Sequence, residues 1–183
     1  TTYAGVKIGL AGDLNHDGFS DVAISQLGDT RGTNLVYGGN PTDSISDQFI
    51  RGYIQGIVDL NGDGIEDVVT SFVRDQPTTP PGVVYFFRGF ADSLATLPYD
   101  SMLVPAEVGF GIGVPVSVGY ADNDSLGDLL VSHEYRSEGP ALFFYSGSPS
   151  LDTTVDWTYA IIHASHNFSG FGFIDFNGDG NQD

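Results

Sequence analysis

Cysteine is absent from this chain of 183 residues, and bases are scarce, with six Lys and Arg against 24 Asp and Glu. Without cysteine the chain can form no disulfide framework and can carry out no thiol chemistry. A formal charge of -18 repels phosphate groups, which argues against nucleic acid or an anionic membrane as a partner. The sequence has no apolar run long enough to cross a bilayer, so we expect no membrane span. Multivalent cations are the partners that this charge favours.

Helical patterning is also missing, because apolar residues nowhere recur convincingly at helical spacing. The sequence instead has 25 Gly and nine Pro, which indicate many turns and favour short strands. Apolar residues make up 40% of the chain and include 13 Phe and nine Tyr, so disorder is not expected. These features predict an all-β protein.

What the sequence does contain is a repeat. Four acidic stretches end on Asp21, Asp67, Asp128 and Asp183, at intervals of 46, 61 and 55 residues. The first three are followed by a largely apolar segment and Ser (DVAIS, DVVTS, DLLVS), and then by an aromatic segment that closes on Gly (LVYGG, VVYFFRG, LFFYSG). Each unit therefore reads as a four-stranded antiparallel meander, which is typical of a β-propeller blade. The alternative is an ordinary β-sandwich that reuses one loop.

The repeat predicts that residues 1–183 form one propeller segment. Its approximate units are 1–46, 47–107, 108–165 and a partial unit at 166–183. Three units and a fraction do not close a ring, because propellers need about four blades or more. We therefore expect either part of a longer propeller or an incomplete ring whose unfinished blade edges pair with neighbouring chains.

The acidic stretches follow the pattern D-x-N-x-D-G-x-x-D, which suits Ca²⁺. Calcium takes about six to eight oxygen ligands. Side chains at the first, third, fifth and ninth positions and the carbonyl at the seventh would supply them, and Gly at the sixth permits the turn. The predicted ligands are Asp13, Asn15, Asp17, Asp21 and the carbonyl of Phe19 in the first loop, Asp59, Asn61, Asp63, Asp67 and the carbonyl of Ile65 in the second, and Asp175, Asn177, Asp179, Asp183 and the carbonyl of Asn181 in the fourth.

The third loop, YADNDSLGD, departs from this pattern. Tyr120 replaces the first acid and Ser125 replaces the glycine, and a neutral phenol is a poor calcium ligand. The remaining candidate ligands are Asp122, Asp124 and Asp128. We therefore predict three calcium sites and a degenerate fourth.

Turn formation alone is the alternative explanation of these residues, since Asp, Asn and Gly are common in turns. It accounts for one loop but not for a repeated spacing. An EF-hand is a poor match, because it carries a bidentate acid at its twelfth position, where this chain has Ile24 and Thr70. Without metal each loop would hold three carboxylates close together, and a divalent cation would remove that repulsion.

With these loops and strands the chain resembles the FG-GAP repeat, the blade of the integrin α-chain β-propeller and of many bacterial surface proteins. The likeness rests on GVKIGLAGDLNHDGFSDVAI (5–24), GFGIGVPVSVGYADNDSLGDLLV (109–131) and YSGSPSLDTTVDWTY (145–159). The Phe-Gly pair is intact only at Phe110-Gly111. The resemblance implies calcium on the propeller rim, an extracellular or cell-surface location, and adhesion to or recognition of a protein or glycan ligand.

Three functional hypotheses follow. The first is adhesion, recognition, or surface or fibre assembly. The second is carbohydrate binding, with Trp157 and the Tyr and Phe strands stacking on sugar rings; the alternative is that these aromatics fill the space between packed blades. The third is a non-catalytic part of a larger secreted enzyme. No catalytic triad or phosphate-binding loop is apparent, so we do not expect this chain to be an enzyme. His163 and His166 are not expected to bind a metal jointly. Asn123 and Asn167 lie in glycosylation sequons, and Asn167 is the better candidate for an N-glycan.

Overall fold

The fold is described from a computed structural model of the chain. The structure describes residues 3–10, 12–27, 32–41, 43–72, 83–89, 99–103, 116–122, 124–135, 139–150, 154–160, 172–179 and 182. These residues contain strands and turns but no helix, so the prediction of an all-β chain is confirmed. They accordingly include no helix that is long and apolar enough to cross a membrane.

Twelve strands in the described residues form three antiparallel sheets. The first sheet contains β1 (Tyr3–Leu10), β2 (Val22–Leu27), β3 (Gly32–Val36) and β4 (Gln48–Arg51). The second contains β5 (Tyr53–Val58), β6 (Asp67–Phe72), β7 (Val83–Phe87) and β8 (Tyr99–Leu103). The third contains β9 (Val116–Gly119), β10 (Asp128–Tyr135), β11 (Gly139–Tyr145) and β12 (Trp157–Ala160). In every sheet the strands pair in chain order, so each sheet is a meander.

The second sheet is covered on both faces, which explains why its strand DVVTS begins with consecutive apolar residues. Val68 and Val69 are both fully buried, and neighbours in a strand point to opposite faces. Val68 packs in a core with Ala23 and Leu35 of the first sheet. Val69 packs in another core with Val131 of the third sheet. The three sheets are therefore layered in chain order, with the second in the middle.

The first strands of successive sheets lie next to one another. Strand β5 contacts both β1 and β9. The approach of β5 to β9 is close, because a Cβ added to Gly56 would clash with the methyl groups of Val118. Glycine at this position lets the two strands come together.

The fourth strand of the first sheet begins just after the predicted unit boundary between residues 46 and 47. Strand β4 pairs with β3, with Phe49 opposite Asn34. Residues 48–51 thus complete the first sheet, and the second sheet starts at Tyr53.

Candidate metal centres

Three of the acidic loops occupy equivalent places, between the first and second strands of the three sheets. They connect β1 to β2, β5 to β6, and β9 to β10. The fourth stretch follows the third sheet, and the structure describes it at 172–179 and at 182. Antiparallel pairing of the flanking strands brings the ends of each loop together.

The first loop is curled around its own carboxylates. The side chain of Asp13 accepts hydrogen bonds from the backbone N–H groups of Asp17, at 3.0 Å, and Gly18, at 2.9 Å. The Oδ1 atom of Asn15 accepts a second contact from the N–H of Asp17, at 3.1 Å. Asp17 in turn accepts from the N–H of Phe19, at 2.9 Å. The predicted first-, third- and fifth-position ligands therefore all face the backbone of one short turn.

The second loop repeats this arrangement closely. Asp59 accepts from the N–H of Gly64 at 2.9 Å, Asn61 from that of Asp63 at 3.0 Å, and Asp63 from that of Ile65 at 2.9 Å. Gly64 has φ of +84°, a left-handed conformation that glycine adopts at little cost. Glycine is therefore favoured at the sixth position because the backbone there is left-handed.

The third loop retains part of the pattern. Asp122 accepts from the N–H of Asp124 at 3.0 Å, and Asp124 accepts from the N–H of Leu126 at 2.8 Å. Ser125, at the glycine position, has φ of +65°, which is strained for a residue with a side chain. Tyr120, in place of the first acid, is 39% exposed.

In the fourth stretch Asp175 accepts from the N–H groups of Gly178, at 2.5 Å, and Asp179, at 3.1 Å. Asn177 also accepts from the N–H of Asp179, at 2.8 Å. The carbonyl of Asn181 and the last predicted ligand, Asp183, lie outside the described residues, as do Asn123, Asn167, His163 and His166.

The ninth-position aspartate of the second loop is buried, unlike its partners at the first and fifth positions. Asp67 is 1% exposed, and its two oxygens accept the N–H groups of Gly89 and Leu60, each at 3.0 Å. Burial raises the pKa of Asp67 to about 6 even though these hydrogen bonds lower it, and the charges of Asp63 and Asp59 add to the rise. The loop therefore concentrates negative charge around a carboxyl group that is already desolvated.

The same holds for Asp21 and Asp128, which are fully buried. Burial is the main cause that raises the pKa of each, and the other aspartates of the same loop raise it further. A bound cation would oppose this effect, because a nearby positive charge favours the ionised carboxylate.

The donor atoms fit calcium by type, since they are all oxygens, which hard cations prefer. Their arrangement is not a ligand cage, however. The described residues contain no group of three or more His, Cys, Asp or Glu side chains placed to hold a metal ion, because the loop carboxylates are turned to backbone N–H groups. Some of these oxygens accept one hydrogen bond and keep a second lone pair, such as those of Asp13. Binding a cation would require the loop side chains to rotate toward a common centre.

Sequence reasoning missed the residues that join the loops to the rest of the fold. The N–H of Gly127 in the third loop donates to the carbonyl of Asp59 in the second, at 2.7 Å. Tyr120 of the third loop donates its N–H to Oε1 of Gln182, at 2.6 Å. The glycine that closes each aromatic segment, such as Gly89, binds a ninth-position carboxylate. The repetition of that glycine was the available signal.

A second surface feature is an aromatic pair on β12. Trp157 and Tyr159 are 52% and 51% exposed, and their rings stack with centroids 5.8 Å apart and planes 18° from parallel. Trp157 is opposite Phe144 in the sheet register, and the ring of Phe144 contacts that of Phe173 edge-on at 6.4 Å. The stacked pair therefore lies next to Phe144, whose ring is partly covered by Phe173.

A scan against protein-family models finds no match for the chain, and a search of the curated proteins finds none either. The FG-GAP resemblance stays a prediction from the sequence.

Proposed function

We propose that this chain is a calcium-stabilised segment of an FG-GAP-type β-propeller that serves adhesion, recognition or surface assembly outside the cell. The observation that carries the proposal is the recurrence of one curled, carboxylate-lined loop between the first and second strands of successive sheets. In the first two loops the first-position carboxylates of Asp13 and Asp59 accept from the sixth-position glycine at the same distance, 2.9 Å. Turn formation alone does not require three aspartates per loop.

The propeller part of the proposal is supported by the way the sheets follow one another. Each sheet is a four-stranded meander, each packs on the next through an apolar core, and β5 contacts both β1 and β9. Blades arranged around an axis place their first strands side by side in this manner. An experimental structure in which the three sheets fan out from the β1, β5 and β9 side would agree with the proposal, whereas a closed two-sheet sandwich would contradict it.

In the proposed calcium sites, Asp13, Asn15, Asp17 and Asp21 with the carbonyl of Phe19 would hold one ion, and their equivalents in the second loop a second. The fourth stretch would hold a third, and the third loop would be degenerate. The bound ion would supply positive charge to carboxylates that the fold crowds together. It would also tie the first strand of a sheet to the second, because the ligands span the connection between them.

Thermal unfolding with and without calcium tests this function. We expect the melting temperature to rise when calcium at about 5 mM replaces chelator, since extracellular calcium modules bind at about 0.1–1 mM. The double variant Asp13→Asn, Asp17→Asn should show a smaller rise. Asp43→Asn is the matched control: Asp43 is exposed, lies outside the loops and accepts one backbone hydrogen bond, from Ile45. A melting temperature that does not change with calcium in the unsubstituted protein, the double variant or the control would contradict the proposal.

Carbohydrate binding is a second candidate, favoured by the stacked and half-exposed rings of Trp157 and Tyr159. Aromatic faces pack on the apolar faces of sugar rings, and the charge of -18 would favour neutral over acidic sugars. Trp157 is the chain's one tryptophan, so its fluorescence reports directly on this site. Titration with neutral oligosaccharides should quench or shift the emission. A spectrum that stays constant up to about 10 mM sugar, well above the ~1 mM of weak complexes, would reject this candidate.

A further inference from the structure

We propose that the buried ninth-position aspartates, Asp21, Asp67 and Asp128, are metal-independent clamps that fasten each acidic loop to the third strand of its own sheet. The inference rests on the function proposed above only for the identification of the acidic loops. It gives these residues a positioning role that exists before any ligand binds.

The first sheet displays the clamp clearly. The N–H of Leu14, at the second position of the loop, donates to Oδ2 of Asp21 at 2.7 Å. The N–H of Gly38, just past the end of β3, donates to Oδ1 at 2.8 Å. One carboxylate thus joins the β1–β2 loop to the end of β3. Asp67 makes the same two kinds of bond in the second sheet, to the loop and to Gly89, two residues past the end of β7.

In the third sheet the clamp occurs beside an incomplete calcium pattern, because Tyr120 stands where the pattern has its first acid. Asp128 is nevertheless fully buried. It accepts from the N–H of Ala121 at 2.6 Å and from the N–H of Gly147, which follows β11, at 2.9 Å. The clamp persists where the calcium pattern is degenerate, so its geometry does not depend on a complete ligand set.

The chemistry requires two acceptor oxygens at this position, and an aspartate side chain keeps acceptor capacity on both oxygens in either protonation state. Two backbone N–H groups point at two oxygens of one buried side chain, and a buried donor left without an acceptor is costly. Asparagine has the same shape but only one acceptor oxygen, so its NH₂ group would face one of the two N–H donors. In the first sheet each oxygen of Asp21 accepts one of these two N–H groups, whereas Asp67 also accepts from the side-chain amide of Asn61, at 3.1 Å.

Thermal unfolding of Asp128→Asn in chelator tests the clamp without calcium. We expect its melting temperature to fall by about 4–10 °C, since one buried donor loses its acceptor. Asp156→Asn is the matched control, just before β12 of the same sheet: Asp156 is exposed, lies outside the acidic loops and accepts one N–H, from Ser146 at 2.8 Å, which an amide oxygen can also accept. Its melting temperature should stay within about 1 °C of the unsubstituted protein. Equal melting temperatures for the two variants would overturn the proposal.

Amide hydrogen exchange on the unsubstituted protein gives a second test that does not depend on a folded variant. In chelator, the amides of Ala121 and Gly147 should exchange at least about tenfold more slowly than that of Leu126, which is bonded to an exposed carboxylate. Similar exchange of all three would refute the clamp. Because both experiments exclude calcium, they test the clamp even in a protein that binds no calcium. A clamp that fails would leave the calcium titration of the first two loops to be judged by itself.

Discussion

The N–H of Gly127 donates a 2.7 Å hydrogen bond to the carbonyl oxygen of Asp59. These residues hold the eighth position of the third loop and the first position of the second. The same pair of positions recurs between the fourth and third loops, where the N–H of Gln182 donates to the carbonyl of Tyr120 at 3.3 Å. The second, third and fourth loops are therefore linked in series, and the linking residue directly precedes the ninth-position aspartate.

The contact between neighbouring loops predicts a cost for shortening Leu126. Its Cδ2 methyl group lies against Gly62 of the second loop, so Leu126→Ala removes packing between two loops. We expect the free energy of unfolding, measured by urea denaturation in chelator, to fall by about 1–2 kcal/mol, less than for a core leucine because the side chain is only partly buried. Ile45→Ala, at a side chain that is 69% exposed, should change it by less than about 0.5 kcal/mol. Equal effects of the two changes would argue against loop packing.

The close approach of the second and third sheets predicts that Gly56 tolerates no side chain. A Cβ there would clash with Val118, so Gly56→Ala should push the sheets apart and lower the unfolding free energy by about 1–3 kcal/mol. Gly172→Ala is the control, because Gly172 is exposed and its nearest neighbour, the hydroxyl of Ser117, lies 3.6 Å from the added Cβ. If Gly56→Ala is as stable as the control in urea, the described layering of these sheets is wrong.

Stability in chelator should fall as pH rises. In the folded protein burial raises the pKa of Asp67 to about 6, against about 3.9 for an unperturbed aspartate. Between these values the folded state binds a proton that the unfolded state has released, so the proton's contribution is complete below about pH 4 and is lost as pH rises through about 6. The raised pKa values of Asp21 and Asp128 act in the same direction. Melting temperatures measured from about pH 5 to 7 should therefore decrease.

Saturating calcium should reduce this fall in melting temperature with rising pH, because a bound cation favours the ionised carboxylates. A melting temperature in chelator that rises steadily over the same pH range would contradict the burial of these aspartates.

The degenerate third loop predicts a gain of function. Tyr120 is partly exposed, and Ser125 holds a left-handed conformation, so the double change Tyr120→Asp, Ser125→Gly restores the complete calcium pattern. We expect one additional calcium ion per chain by equilibrium dialysis. Ser125→Gly alone should raise stability by up to about 1 kcal/mol, since glycine relieves the strain, without adding an ion. An unchanged calcium count in the double variant would count against the loop pattern as a calcium motif.

The sequence was sufficient to predict the strands and the turns between them, because apolar segments such as DVVTS and the glycine-rich loops carry strong local signals. The sequence did not show that Val68 and Val69 are buried on opposite faces of the sheet. A short apolar run can be a strand covered on both faces or a segment of a buried helix, and periodicity alone does not distinguish the two. Nor was the role of Gly89, which depends on a hydrogen bond to a residue 22 positions away. Spacing identified Asp67 as a candidate ligand, but its burial and its backbone partners required the folded sheet.

Isothermal titration of the unsubstituted protein with calcium tests the central claim most directly. We predict saturable binding of three ions per chain at about 0.1–1 mM, reduced by one when Asp13→Asn and Asp17→Asn disable the first loop. The absence of binding up to about 10 mM, or a stoichiometry that this double change leaves intact, would contradict it.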